Sequence, residues 1–317
     1  MTETKVEPKV SFVGTGLVDK PKNVSAADGH AKSAPRDLDP DAKSATVPGA
    51  VPATVPGAAD GWVEDAGKGL EGIDQAEFGQ PPGLRILQSN SPEVSESEGK
   101  FISGARPGMI LHAGTQDVCD GKIGGVIIPV HRNHNYLVWR PREIGGGLVP
   151  DDSERDVTDP VILDMRKKQG TFGKLITADG NEAVETFTLY CLWLSPTWQP
   201  GDDPARVFIA FTSTQIKKYN VLMQKLAGLI GRPPRYPLWA HKWHISTQPE
   251  KNKKGSFYGW RLALEGGSST TALLNPRDPL CSVAAEFYEF VKIGKMKADY
   301  GNVAPDGGEQ GGEEIPF

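Results

Sequence analysis

Through the middle of the chain apolar and polar positions alternate with a period of two. Runs rich in Val, Ile, Phe, Tyr, Trp and Thr fall at residues 123–129, 136–139, 184–194, 207–212, 243–247 and 257–264, bounded by Gly, Pro, Asn and Asp, the pattern of short strands. The stretch VETFTLYCLWL, residues 184–194, reads as a half-buried strand. Two segments carry the helical period instead. From Ser213, read as an N-cap, Ile216, Tyr219, Leu222, Met223, Leu226, Leu229 and Ile230 recur at three and four residues, and Gly231, Pro233 and Pro234 end the run. A second helix is expected over residues 278–295, with Val283, Phe287, Phe290 and Val291 on one face. Several strands with a helix among them predict a mainly β fold with minor α, an OB-like antiparallel barrel with insertions and two helices.

The flanks have no such period. Residues 1–80 hold 8 Lys/Arg against 13 Asp/Glu and include the near-repeat VPGAVPATVPG at 47–57. A segment of that kind cannot repay its ordering entropy and is expected to be a disordered, acidic, Pro-rich arm. Residues 299–317 hold five acids and no Lys or Arg, spaced by glycines, and are expected to form a second disordered segment. The body between them, residues 81–298, has 27 basic and 22 acidic residues, so a net charge of -5 over the 317 residues conceals a basic centre. No apolar run approaches the roughly 18 residues of a membrane span, and the first residues lack the apolar stretch of a secretory signal. A soluble, cytoplasmic protein is expected. Cys119, Cys191 and Cys281 lie far apart without a CxxC pair, which argues against a disulfide framework and a cysteine zinc site.

Catalytic patterns are weak. Gly14, Gly16 and Asp19 lack the third glycine of a dinucleotide fingerprint, and there is no GxxxxGK[ST] phosphate loop. His241 and His244 have a spacing that sends them to opposite faces of a strand. The acids Asp151, Asp152 and Glu154 lack the downstream carboxylate-x-Lys strand of a metal-dependent nuclease. Ser153 and Ser195 are not framed by GxSxG. A non-enzymatic protein with no cofactor and no metal is expected.

A binding pattern is present at residues 231–261. Arg232, Arg235, Lys242, Lys251, Lys253, Lys254 and Arg261 face one acid, Glu250, and are interleaved with Tyr236, Trp239, Trp243, Phe257, Tyr258 and Trp260. Single-stranded nucleic acid calls for that mixture, since cations track phosphates while rings stack on exposed bases. The KNKKG turn would join two strands as a basic hairpin. Expected contacts are Trp239, Lys242, Trp243, Lys251, Lys253, Lys254, Tyr258, Trp260 and Arg261; taken singly each tryptophan reads as a core residue, and the cluster as a whole reads as a binding surface. A second patch, in HRNHNYLVWRPR, contributes Arg132, Tyr136, Arg140 and Arg142. Alternation there puts Tyr136 and Val138 on one face and Leu137 and Trp139 on the other. Gly145, Gly146 and Gly147 read as a loop.

The chain closes Glu313, Glu314, Ile315, Pro316, Phe317. An acidic string ending in an apolar residue and an α-carboxylate suits docking into a pocket with a basic rim. These residues resemble the terminal motif of bacterial single-stranded-DNA-binding proteins, whose acidic tails end in Ile-Pro-Phe. The resemblance implies recruitment of replication, recombination and repair enzymes through Glu313 to Phe317. Over residues 80–150, LRILQSNSPEV, IIPVHRNHNYLVWRPR and the glycines that follow are similar to a group of phage-encoded proteins regarded as single-stranded-DNA binders. That similarity implies an OB-related body, a role in phage DNA replication or recombination, and the bacterial host cytoplasm as location. The partners expected are thus single-stranded DNA, bound without strong sequence preference, and those enzymes, with homo-oligomers possible and no membrane. The acidic segment would also compete with DNA for the basic groove, so that removing residues 299–317 tightens binding at low salt. Alternatives are a strand-annealing recombination protein, a tail mimic that occupies host repair enzymes without binding DNA, and a nuclease with an unfamiliar site.

Overall fold

The computed structural model describes residues 80–302, apart from 142–143, 151, 170–174, 232 and 253–254. All but the last residue of the expected arm, and residues 303–317, lie outside the described residues.

Strands β1 (Leu84–Ile86), β2 (Ile110–His112) and β3 (Val118–Cys119) form a small antiparallel sheet in that order. The main sheet has seven strands, β4 (Gly125–Trp139), β5 (Glu154–Asp156), β6 (Leu175–Ile176), β7 (Glu182–Leu194), β8 (Ala205–Thr212), β9 (Trp243–Asn252) and β10 (Gly255–Leu264), all paired antiparallel. Helices α1 (Pro160–Gln169), α2 (Ile216–Ile230), α3 (Ser269–Ala272) and α4 (Pro279–Lys292) complete it. The fold is therefore mainly β with minor α.

The long β4–β7 pair is the spine of the sheet, with Val126 opposite Leu194 at one end and Trp139 opposite Glu182 at the other. The first end is flanked by β9 and β8, giving the order β10-β9-β4-β7-β8, and the far end by β5 and β6. The register slips between Pro129 and His131. Such a bulge swaps which residues face which side. Before it Ile128 lies on the face covered by α4; after it Leu137 and Trp139 do, with Tyr136 and Val138 on the reverse.

Both faces are covered. On one, Ile128, Leu137, Tyr190, Leu192 and Phe208 pack beneath Ala284, Phe287 and Val291 of α4 and beneath Met296, Ala298 and Tyr300. On the other, Ile127, Leu189, Trp193, Ile209, Phe211, Trp243, Ile245 and Trp260 pack against Tyr219, Leu222 and Leu226 of α2. The far end of this second face has its own cluster, Tyr136 and Val138 with Ile162 and Met165 of α1. Burial on two sides corrects the half-buried expectation for β7, whose last seven residues are all buried.

Two helices were expected and four are found among the described residues. α4 begins as the sequence reads, with Asp278 as N-cap accepting from the Leu280 N–H at 3.0 Å and Pro279 in the first turn. It ends at Lys292. Ser213 does not cap α2: it opens a 3-10 turn, Ser213–Gln215, with φ 47°. α1 shows no period in the sequence because only Ile162 and Met165 of PVILDMRKKQ are buried, too few to set one up.

The barrel does not close. Among the described residues no ladder joins β8 to β10, the two edges of the five-stranded strip. The segment leading into β1 spans the gap instead. The Phe208 N–H donates to the Pro82 carbonyl at 3.0 Å, and Gly83 forms a parallel bridge with Phe208. On the other edge the Gln88 amide donates to the Tyr258 carbonyl and accepts from the Tyr258 N–H, each at 2.9 Å, while Gln215 Oε1 accepts from the Trp260 N–H at 2.9 Å. Side chains thus satisfy edge groups that a strand would otherwise pair. The packed body also runs past residue 298. Tyr300 is buried, its hydroxyl shares a hydrogen bond with Thr188 Oγ1 at 2.7 Å, and the Ala298 N–H donates to the Tyr190 hydroxyl at 3.1 Å.

Candidate nucleic-acid interface

The β9–β10 hairpin places Trp243 opposite Leu264 and Thr247 opposite Trp260. Residues opposite one another share a face, and here that face is the interior. Trp243 is fully buried and Trp260 is 3% exposed. Both are core residues, which corrects their assignment as stacking platforms. The reason is parity: neighbours in a strand point to opposite sides, so Lys242, half-buried, and Arg261, exposed, lie away from the rings beside them in sequence. Tyr258 is half-buried with its ring close against Gly108. A Cβ at that glycine, which has φ 88°, would lie 2.5 Å from the ring. Trp239 is half-buried in a 3-10 turn, Leu238–Ala240, tilted against Tyr288 with ring centroids 5.3 Å apart. Lys251 is exposed; Lys253, Lys254 and Arg142 lie outside the described residues.

The acid of this interval is engaged. Glu250 meets the Lys218 ammonium of α2 at 2.6 Å and accepts from the Gln248 amide at 2.9 Å. Burial pushes its carboxyl up, but these two partners outweigh that and hold it below the ordinary range.

In the second patch Arg132 and Arg140 are exposed, whereas Tyr136 is 4% exposed and belongs to the core with α1. The Arg140 N–H donates to the Gly147 carbonyl at 2.8 Å, so the glycines close a turn. Next to Arg132, however, the tertiary structure assembles rings of which the sequence singled out only Tyr136. The bulge in β4 puts Arg132, His134 and Tyr136 on one face, and register sets His134 opposite Phe187. Their rings stack at 3.9 Å with an interplanar angle of 14°. Phe187 stacks in turn on Tyr219 of α2 at 4.6 Å, Tyr136 lies 6.5 Å from His134, and the Arg166 guanidinium sits 5.9 Å above the Tyr136 ring. His134 Nε2 meets Glu185 Oε1 at 2.8 Å, and both side chains remain about one-third exposed. Burial raises the Tyr219 hydroxyl pKa, and the nearby Arg132 guanidinium, as hydrogen-bond donor and as charge, opposes that rise. The spacing of Arg132, His134 and Tyr136 was visible in the sequence. Their meeting with Phe187 and Tyr219 was not, because it depends on pairing with distant elements.

The other candidates are structural. Asp152 and Asp159 pair with Arg155, Glu154 accepts from the Asn135 amide, and Asp151 lies outside the described residues. Burial pushes the Glu154 carboxyl up. His244 donates to the Ile123 carbonyl at 2.9 Å and His241 is buried. Among the described residues no three His, Cys, Asp or Glu side chains gather as metal ligands. None of the described helices is long and apolar enough to cross a membrane.

The chain thus defines an open, mainly antiparallel β protein with helices on both faces. Residues 51–297 match the family model of the Pam3 phage gp34-like proteins, and the chain belongs to that phage family. No curated protein and no solved structure matches it.

Proposed function

We propose that this phage protein binds single-stranded DNA with little sequence preference, without catalysing a reaction, and recruits partner enzymes through Glu313, Glu314, Ile315, Pro316 and Phe317. The observation that carries the reading is the strand order. β4, β7 and β8 form a meander, α2 follows, and the β9–β10 hairpin returns to pair with β4. This order resembles that of an OB barrel, though without a ladder from β8 to β10 among the described residues, and in OB barrels the second and third strands and connecting hairpins receive oligonucleotides. The lysine-rich sequence KNKKG runs from the end of β9 to the start of β10, and cations in such a stretch can track a phosphate backbone. The outer side of β7 and β8 is occupied by α4 and residues 296–300, so the strand is assigned to the exposed cations along the hairpin and β4. The resemblance of the acidic end to the tail of bacterial single-stranded-DNA-binding proteins supports the same function.

The test is an anisotropy titration of labelled oligo(dT), duplex DNA and oligo(U) at two salt concentrations. A labelled strand is the better probe because Trp243 and Trp260 are buried. The expected result is tight binding of oligo(dT) over duplex, with log affinity falling by about 0.7 per phosphate neutralised for each log unit of salt. Absence of salt-dependent strand binding would overturn the reading and leave the tail mimic in its place.

A further inference from the structure

We infer that the groove between α2 and the end of β10 is the seat of residues 313–317 in the protein free of partners. The segment adds a short strand to β10, with Ile315 and Phe317 in the groove and Glu313 on Lys225. This goes beyond the recruiting role proposed for these residues, since it gives them a place on the chain's own body that a partner must empty.

The groove has a volume of about 530 Å³ and is lined by Lys225, Gly228 and Leu229 of α2 and by Ala263, Leu264 and Gly267. Two observations mark it as a place for a ligand. The first is Gly228. Glycine is the poorest helix former after proline, yet among the described residues no atom lies within 4 Å of a Cβ built there. No neighbour demands this glycine; what it supplies is open space beside the half-buried Leu229 and Leu264. The second is the edge of β10. The Tyr258 N–H and carbonyl and the Trp260 N–H point away from β9, where the Gln88 and Gln215 amides meet them. Backbone groups of alternate residues in an antiparallel strand point to one edge. The Leu262 N–H and carbonyl and the Leu264 N–H therefore point the same way, and among the described residues they have no backbone partner there. An edge of this kind accepts an added strand.

Charge and pattern select the occupant. Lys218 of α2 is paired with Glu250, whereas Lys225 is exposed and has no acid partner among the described residues. Residues 303–317 hold four acids and no Lys or Arg. Alternate residues of an extended segment share a face, so Glu313, Ile315 and Phe317 point one way, one acid for the cation and two apolar side chains for the groove. Pro316 falls between them, and its missing N–H lies on the edge turned away from β10, where strands tolerate proline. Fifteen residues follow Asn302. Extended, they span about 50 Å, against a radius of gyration of ~17 Å for a body of this size, so the segment reaches the groove from its anchor at the buried Tyr300.

The experiment uses the full chain without DNA. Phe317→benzoylphenylalanine introduces a photocrosslinker, dilute protein is irradiated, and the crosslinked peptides are mapped. Links within one chain to residues 225–229 or 262–267 are expected. Gly228→Leu fills the groove with a better helix former, so it should abolish those links while the melting temperature holds or rises. Lys225→Glu should reduce their yield about 2- to 5-fold, the share of an exposed ion pair. Links between two chains, links confined to other parts of the body, or full yield in a folded Gly228→Leu protein would overturn the inference. No strand is present, so that failure would leave single-strand binding intact, and failure of the wild-type protein to bind oligo(dT) would leave the groove intact.

Discussion

The β9–β10 hairpin and the distal half of the β4–β7 pair contain the same kinds of side chain, yet they present opposite surfaces. In the hairpin cation and ring are neighbours in sequence, as in Lys242–Trp243 and Trp260–Arg261. Neighbours in a strand face opposite ways, so the rings enter the core and the charges face away from it. In β4 the cation and rings stand two residues apart, Arg132, His134 and Tyr136, and share a face. The hairpin is therefore stabilised by its two tryptophans, with Phe257 and Tyr258 half-buried, whereas on β4 Arg132 stands on the same face as the stacked His134 ring. Spacing, more than density, decides whether a ring and a cation of one strand share a face.

The largest test of this contrast is stability. Trp243→Ala or Trp260→Ala should cost about 3–5 kcal/mol, the usual loss for truncating a buried large ring, measured by denaturant unfolding. Near-wild-type stability with a selective loss of strand binding would break the contrast by returning those rings to the surface.

Removing residues 303–317 comes next. The cut leaves the Tyr300 and Ala298 hydrogen bonds in place, so the melting temperature should hold. Affinity for oligo(dT) should rise several-fold at low salt, because a tethered acidic segment competes at high effective concentration, and the gain should vanish near 1 M salt, where screening reaches about 3 Å. An unchanged low-salt affinity would count against competition. Cutting at 299 instead removes Tyr300 from its place against Phe208, and should destabilise the body.

A smaller effect is expected on acidification. Burial lowers the pKa of His241 from its ordinary value of 6.5. The unfolded chain therefore takes up the proton first, and stability is lost as pH falls from about 6.5 toward the folded value, at up to ~1.4 kcal/mol per pH unit. Replacing His241 by Phe should flatten that slope in pH-dependent melts. His112 and His131 are also lowered, chiefly by burial, so a residual slope should remain. The smallest change belongs to the exposed hairpin charges. Lys251→Ala and Arg261→Ala should each leave stability within about 0.5 kcal/mol of wild type; a large loss would mean that the hairpin charges are structural.

Much of the fold was legible because it follows from local periods. The strands, the α2 stripe of Tyr219, Leu222 and Leu226, and the Asp278–Pro279 start of α4 stand in the sequence much as they stand in the structure. α1 and the single-turn α3 did not show, since the first buries two side chains and the second depends on a capping box between Ser268 and Thr271. Of the expected contact residues, Arg132, Arg140, Lys251 and Arg261 are exposed, because charge predicts its own exposure. Trp243, Trp260 and Tyr136 were ambiguous, because an aromatic ring in a strand suits a core and a binding face equally well.

Residue order alone settles the β character of the body, its two most periodic helices and its basic charge between acidic flanks, because each of these is a sum over near neighbours. It leaves open which side of each strand is covered. The slip between Pro129 and His131 reverses the alternation of β4, α4 and residues 296–300 seal one face, and Phe187 and Tyr219 reach His134 from elements far along the chain. Register and covering depend on contacts between distant segments, so only the folded chain decides where rings and cations meet.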